Sequence, residues 1–223
     1  MGFLDDLKRQ ADALKTQQTV DTAALARNAA LVETACQTTW RYWMDLAPQL
    51  NVLLPCPPVR FMFDKSTTVD GLTRCDFRVD ARRKQHRGQE VFDHVVIHAL
   101  QKSGRSLTMS KDFPPEIERL EARLRQAGIA PDSKWVRDPV NGRLEEVRFS
   151  FVADVTMTVR LLPDHDQGKV SFQLGNLDDL ETVVVTFAAP RIDSNLLDQL
   201  ARWMVGEPHE FLKLADSARR QEA

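Results

Sequence analysis

The strongest constraint on the fold is a two-residue alternation of side-chain character between residues 72 and 82, LTRCDFRVDAR. One set of alternate positions is small or apolar: Thr73, Cys75, Phe77, Val79 and Ala81. The other set is charged: Arg74, Asp76, Arg78, Asp80 and Arg82. Because successive side chains of a strand point to opposite sides of a sheet, this pattern predicts a strand with one buried face and one solvent face.

Further strands are predicted on both sides of this segment. Residues 59–69 are expected to pair with 72–82 as a hairpin, because the intervening Asp70-Gly71 suits a type I′ turn. Alternation predicts one long strand over 144–162, and Asn141-Gly142 marks the turn before it. Shorter strands are predicted at 91–102, 105–110, 169–175 and 180–189.

Apolar residues spaced three or four apart predict helices at both ends of the chain and one in the middle. A short helix is expected over residues 3–17. A second helix begins at Asp21, a suitable N-cap, and ends before the proline-rich LPCPP at 54–58. The central helix starts at Pro114 and ends at Gly128. The last two helices are predicted at 193–205 and 208–220.

Together these elements define an α+β fold: an antiparallel β-sheet of about 7–8 strands, with helices on one face and an N-terminal helical arm. The predicted domains are an arm over residues 1–20 and a single α+β domain over 21–223. Two stretches, 59–128 and 134–205, share an order of four strands and one helix. They are either two ββββα pseudo-repeats or two β-meanders that are alike by chance.

Charge and cysteine content argue against several classes of protein. A formal net charge of −2 over 223 residues does not favour a general polyanion binder. The three cysteines, Cys36, Cys56 and Cys75, form no CxxC motif, so neither a disulfide framework nor a cysteine-based zinc site is expected. No stretch approaches the roughly 20 apolar residues of a membrane span. A reducing bacterial cytoplasm is therefore the simplest expected location.

His94 and His98 are the first candidate site residues, because two histidines four apart on a helix can share a metal ion. The segment 91–102 is rich in β-branched residues, however, which favours a strand. On a strand the two histidines lie about 13 Å apart. That is too far for one zinc ion, which needs each nitrogen at roughly 2.0–2.1 Å. No third ligand is evident, so no metal is predicted.

The densest group of positive charges is formed by Arg82, Arg83, Lys84 and Arg87. These residues could bind the phosphate groups of nucleic acid or another anion. Proteins that bind single strands also use aromatic side chains for base stacking, and residues 81–88 contain none. The alternative is a solvated hairpin tip whose charges prevent pairing with other strands. Nucleic acid is the less favoured partner.

Trp40 and Trp43 lie on the helix that is predicted to begin at Asp21. Aromatic residues at this density on a helix usually belong to the core. They could also cover a small apolar ligand held against the sheet, with His94 and His98 as the proton-transfer groups.

The primary hypothesis is a non-enzymatic protein that binds another protein, as an adaptor or chaperone-like molecule, and that also self-associates. It depends on the N-terminal arm, which is too short to be stable alone. The arm must therefore pack on its own domain, on a second copy or on a partner. Two alternatives stay open: a protein that binds or converts a small apolar ligand, and nucleic-acid binding through residues 82–87. No catalytic residue and no cofactor is predicted.

Overall fold

The computed structural model describes residues 3–137 and 142–222. Within these residues the chain forms three α-helices and eleven strands, and all strand pairs are antiparallel, which confirms the α+β class. The helices are α1 (Phe3–Leu53), α2 (Pro114–Ala127) and α3 (Ser194–Val205). The strands before α2 are β1 (Arg60–Met62), β2 (Thr68–Asp70), β3 (Thr73–His86), β4 (Gln89–Lys102) and β5 (Ser106–Lys111). Those after α2 are β6 (Asp132–Arg137), β7 (Leu144–Val152), β8 (Val155–Asp164), β9 (Lys169–Gly175), β10 (Glu181–Ala188) and β11 (Ser217–Glu222).

Six strands form the main sheet in the order β11-β10-β9-β8-β4-β3. The helices α1 and α3 pack on one face of this sheet, which we call the inner face, and bury the larger of two apolar cores. Alternate residues of each strand enter that core, for example Val95, Ile97 and Ala99 of β4. Since most of the apolar positions point inward, the opposite face of the sheet is left with mostly polar side chains.

A second core lies between α2 and a three-stranded sheet in the order β5-β7-β6. The helix α2 begins at Pro114, as predicted, and buries Ile117, Leu120 and Leu124. The short strands β1 and β2 form a separate ribbon that packs into the same core through Phe61. The strands are therefore divided among three sheets rather than collected in one.

The predicted hairpin across Asp70-Gly71 is wrong. Strand β3 pairs with β4 through a turn at Arg87-Gly88, and β2 pairs with β1, which precedes it. Gly71 does have a positive φ of 66°, so the chain turns there, but the turn connects two different sheets. Local turn chemistry thus located the turn, whereas tertiary packing decided which strands pair.

Two helix predictions are also wrong. The chain forms one helix from Phe3 to Leu53 instead of a short helix followed by a second that starts at Asp21. Residues 17–21 contain neither glycine nor proline, so nothing there interrupts the helix. Residues 208–220 form turns and the start of β11 rather than a helix, and β11 pairs with β10 at the edge of the main sheet.

The helix predicted at 193–205 is confirmed by α3. The side chain of Asp193 caps its first turn by accepting a hydrogen bond from the backbone N–H of Leu196 at 2.8 Å. The predicted turn residue Asn141 lies outside the described residues.

The long strand predicted over 144–162 is interrupted at Ala153 and Asp154, so that β7 joins the small sheet and β8 the main sheet. The carboxylate of Asp154 accepts hydrogen bonds from the backbone N–H groups of Ser103 and Gly104, which anchors this crossing. The two proposed repeats differ in their pairing, because β5 pairs with β7 whereas β10 pairs with β9. The duplication therefore stays a prediction.

Strand β3 contains a β-bulge, across which its side chains do not alternate between the two faces of the sheet as the simple pattern predicts. Asp76 has a positive φ of 54°, and the register with β4 shifts at this point. Arg74 consequently points to the inner face, as Phe77 does, although simple alternation places the two on opposite sides. Asn51 of α1 stabilises the bulge, since its side-chain amide accepts from Phe77 N–H at 2.7 Å and donates to the Phe77 carbonyl at 2.9 Å.

The guanidinium of Arg74 is fully buried between β3, β4 and the end of α3. It donates hydrogen bonds to the carbonyls of Met204, at 2.5 Å, and Leu177, and to the side-chain oxygen of Gln101 at 2.8 Å. Burial lowers the pKa of Arg74 to about 10, and the charge of Asp178 opposes this shift. Because the last carbonyls of a helix have no partner within it, Arg74 completes the C-terminus of α3.

Polar contacts continue from Gln101 to α2. The amide of Gln101 donates to the carbonyl of Asn176 at 2.7 Å. The side chain of Asn176 in turn donates to the carbonyls of Gln126 and Thr156, at 2.7 Å each. This series of hydrogen bonds fixes the end of α2 against the main sheet.

We expect Arg74→Met to destabilise the fold by about 3–5 kcal/mol, because it leaves several buried carbonyl groups without a donor. Urea unfolding measures this loss. Arg78→Met, the same change at an exposed position of the same strand, should stay within about 0.5 kcal/mol of the wild type. A loss below about 1 kcal/mol for Arg74→Met would contradict the role assigned to this residue.

Candidate functional site

Three cross-strand rows of side chains form the polar face of the main sheet, and we call these rows the open face. The antiparallel register places their members next to one another across the six strands. The first row is Arg78, His98, Thr158, Gly175, Thr182 and Gln221. The second row is Asp80, Val96, Arg160, Gln173, Val184 and Arg219. The third row contains Arg82, His94, Leu162, Ser171, Thr186 and Ser217.

Four exposed arginines stand on the open face: Arg78, Arg82, Arg160 and Arg219. Among the described residues, none of these arginines has a hydrogen bond or an ion pair. Asp80 is the one carboxylate in the three rows. The open face is therefore positively charged, although the whole chain carries a net charge of −2.

The spacing of these arginines decides what kind of anion they can bind. Arg160 is two strand spacings from β3, roughly 10 Å, and Arg219 is three further spacings away, roughly 14 Å. Arg78 and Arg82 lie about 13 Å apart along β3. A single small anion cannot reach all four guanidinium groups, whereas an extended chain with several negative charges can.

His94 occupies the open face beside Arg82 and is held by a neighbouring carboxylate. Its Nδ1 lies 3.0 Å from Asp93, and Lys84 Nζ lies 3.1 Å from the other oxygen of the same carboxylate. The hydrogen bond from His94, and then that from Lys84, keeps the pKa of Asp93 below its ordinary value. His98 lies two rows away beside Arg78 and is partly exposed. Since β4 confirms the strand predicted for 91–102, the two histidines do not converge on one ion.

A hollow of about 290 Å³ lies where the end of α2 meets the open face. Arg160, Gln173 and Thr158 line one side of it, and Gln126 of α2 lines the other. The close approach requires Gly128, whose φ is 76° and where a Cβ would lie 2.6 Å from the Thr156 hydroxyl. The hollow makes the open face concave at this end.

Trp40 and Trp43 do not lie near the histidines. Trp43 is fully buried in the inner core and contacts Phe172 edge to face, with ring centroids 6.3 Å apart, and Trp40 packs against the same core. The tryptophans and histidines are thus on opposite faces of the main sheet and line no common pocket. The structure places the tryptophans in the packing role that is usual for aromatic residues on a helix.

The basic cluster that was predicted to bind an anion does not act as one group, because its side chains have different neighbours. Its members are Arg82, Arg83, Lys84 and Arg87. Arg83 stacks over the ring of Phe92, with its Cζ 4.4 Å from the ring centroid. Arg87 forms an ion pair at 3.0 Å with Asp166, in the turn between β8 and β9. Lys84 forms an ion pair with Asp93, the carboxylate that also contacts His94. Arg82 alone belongs to the open face, and the other three open-face arginines come from outside the basic cluster.

A cluster of ionisable groups at the tips of two hairpins was not predicted as a unit. His165 Nε2 lies 2.9 Å from Glu33 of α1, and His86 Nε2 lies 3.2 Å from Asp166. Glu33 also accepts a hydrogen bond from the backbone N–H of Phe92 at 2.8 Å, which fastens α1 to β4. Within residues 3–137 and 142–222, no group of three or more His, Cys, Asp or Glu side chains could hold a metal ion. Through Glu33, which contacts both His165 and Phe92, the cluster attaches α1 to the main sheet.

Comparison with known protein families, with curated proteins and with solved structures finds no match to this chain. In the part of the chain that the structure describes, no helix combines the length and the apolar character needed to cross a membrane. The function must accordingly be inferred from the geometry and charge of the open face.

The contacts of Asp93 with His94 and Lys84 give a prediction about pH dependence. The depressed pKa of Asp93 contributes stability that is present above the ordinary aspartate value and is lost as the pH falls through the folded-state pKa. Carboxyl titration by NMR should therefore place the pKa of Asp93 below the ordinary aspartate value of 3.8. His94→Ala should raise that pKa, while His98→Ala, on the same strand and face, should leave it unchanged. An ordinary pKa for Asp93 in the wild type would show that its contacts with His94 and Lys84 do not form.

Proposed function

We propose that this protein is a non-enzymatic protein-binding module that uses the open face to bind an acidic, extended segment of a partner. The observation that carries this function is the set of four unpaired arginines, spaced about 10–14 Å apart across one sheet face. Arginine pairs well with carboxylates because its planar fork can donate two parallel hydrogen bonds. A segment rich in Asp and Glu can supply carboxylates at such intervals.

The composition of the open face supports a protein partner over nucleic acid. Binding of single strands usually involves aromatic side chains on which bases stack, and the three rows contain no Phe, Tyr or Trp. The partly exposed apolar members, Leu162 and Val184, instead offer small contact areas between the arginines. Such a mixture of aliphatic and cationic groups fits a peptide that carries both acidic and apolar residues.

The three cysteines bear on where this binding takes place. All three are free, and Cys36 is buried deeply enough that its pKa rises to about 12. Free thiols support our proposal of a reducing, cytoplasmic location.

The binding test compares the wild type with a variant in which Arg78, Arg82, Arg160 and Arg219 are each changed to Gln. Fluorescence anisotropy follows a labelled oligoglutamate peptide and, separately, a labelled oligothymidylate. We expect the wild type to bind the peptide, and the Kd to rise at least about tenfold in the variant. Four exposed ion pairs that contribute roughly 0.2–1 kcal/mol each account for such a loss.

A matched control variant changes four exposed cations that lie away from the open face to Gln: Arg27, Arg41, Arg125 and Lys134. Its net charge equals that of the first variant, so the comparison separates the site from overall charge. The control should bind oligoglutamate within about twofold of the wild type. Equal weakening in both variants, no binding of the peptide, or tighter binding of oligothymidylate would each overturn the proposed function.

Self-association through the first half of α1 is a second candidate function, and the length of the helix favours it. A helix of 51 residues extends for about 76 Å, and the first buried side chain described in it is Val32. The apolar residues Phe3, Leu7, Ala11 and Leu14 recur at helical spacing in the sequence before Val32. A second copy of the same helix is a suitable surface for such a stripe.

A chain that begins at residue 19 tests this self-association. Light scattering should show that the full chain is a dimer and that the shortened chain is a monomer. The thermal unfolding midpoint at low concentration should change little, because the residues described in the inner core begin at Val32. Equal molar masses for the two chains would contradict self-association through α1.

A further inference from the structure

A cavity of about 340 Å³ lies between α2 and the loop that joins β1 to β2, and it shares no lining residue with the hollow on the open face. The loop contributes residues 62–66 as one wall, and one side of α2 forms the other. Glu116, Arg119 and Arg123 lie on that side because residues three, four and seven apart share a helix face. The volume falls within the range of roughly 300–1,000 Å³ that small-molecule sites occupy.

The inner part of this cavity is apolar. Phe63 and Leu120 line it and are otherwise buried in the second core, with exposed fractions of 1% and 2%. Met62 lies at the rim and is 40% exposed. A ligand with an aliphatic or aromatic body would cover the exposed side chain of Met62, remove it from water, and reach the edges of Phe63 and Leu120.

The rim carries four cations but only two carboxylates, Asp64 and Glu116. Both carboxylates are engaged by one of the cations, since Lys111 Nζ lies 3.0 Å from Asp64 and 3.5 Å from Glu116. Arg123 donates to the carbonyl of Met62 at 2.5 Å. These contacts connect the loop, the end of β5 and α2 into one rim.

Lys65 and Arg119 carry the two remaining positive charges of the rim. Within the described residues neither side chain has a hydrogen bond or an ion pair, and both are exposed at the mouth of the cavity. An anion placed at the mouth could pair with both cations without displacing any existing contact.

The loop that forms the wall is held in one conformation. The carboxylate of Asp64 accepts hydrogen bonds from the backbone N–H groups of Ser66, at 2.9 Å, and Thr67, at 2.7 Å. Burial alone would raise the pKa of Asp64, but its hydrogen bonds with Lys111, Ser66 and Thr67 hold the pKa well below the ordinary range. Asp64 therefore stays ionised at neutral pH, and the wall is formed before any ligand arrives.

We infer that this cavity binds a small organic anion that consists of one acidic group and an apolar body. The apolar body would lie on Phe63, Leu120 and Met62, and the acidic group would pair with Arg119 and Lys65. The open face has no part in this site, so each can fail without the other.

The experiment uses octanoate and octanol as a pair of probes that share an apolar chain and differ in charge. Methyl NMR of the full chain follows the signals of Met62 and Leu120 during each titration. We expect octanoate to shift both signals in a saturable way, and octanol to bind about tenfold or more weakly because it lacks the ionic contacts. Absence of saturable shifts, or equal binding of the two probes, would overturn the inference.

The charge dependence is tested with the double variant Lys65→Gln/Arg119→Gln. Both positions are exposed, so the fold should be unaffected, and the dispersion of the methyl spectrum verifies this. The Kd for octanoate should rise about tenfold. Arg125→Gln, an exposed change on α2 outside the cavity lining, should leave it unchanged. An unchanged Kd in the double variant, or an equal change in Arg125→Gln, would likewise overturn the inference.

Discussion

The buried guanidinium of Arg74 is the constraint on which the rest of the structure depends. An unpaired charge in a protein interior is strongly unfavourable, so the surrounding chain must supply acceptors in fixed positions. The end of α3 and the loop after β9 supply carbonyl groups, and Gln101 supplies its side-chain oxygen. Through Gln101 and Asn176 the same network reaches the end of α2. The two cores are thereby held in one arrangement, and the hollow at the edge of the open face follows from that arrangement.

The open face arises because only one side of the main sheet is covered by helices. The inner face buries the apolar residues under α1 and α3, and the other face must then be polar or be covered by another molecule. Unpaired arginines keep such a face soluble and oppose its stacking on a second copy, because like charges repel. They also favour an acidic partner, since electrostatic complementarity raises the rate of encounter and suppresses wrong partners. In the proposed function, the same four side chains would both oppose stacking and select the partner.

The sequence predicted the parts of the fold that depend on local pattern. The α+β class and the helices at 114–127 and 193–205 follow from periodicity and capping residues, and the strand that carries His94 and His98 follows from its β-branched residues. The bulge at Asp76 could not be predicted from the sequence, because a single residue with positive φ leaves no periodic signal. This bulge places Arg74 on the inner face instead of the open face. The strand pairing around Asp70-Gly71 was wrong for a related reason, since register between strands is decided by tertiary contacts.

The candidate site was only partly accessible from the sequence. Arg82 and the two histidines were recognised from local density and spacing, and all lie on the open face. Arg160 and Arg219 come from strands far away in the sequence, and only the sheet order brings them alongside. The most direct test of the open face as the binding surface is chemical-shift mapping of the nitrogen-15-labelled chain with oligoglutamate. Amide shifts concentrated in the middle of β3, β4, β8 and β11 are the predicted result, and shifts concentrated in α1 and α3 would contradict it.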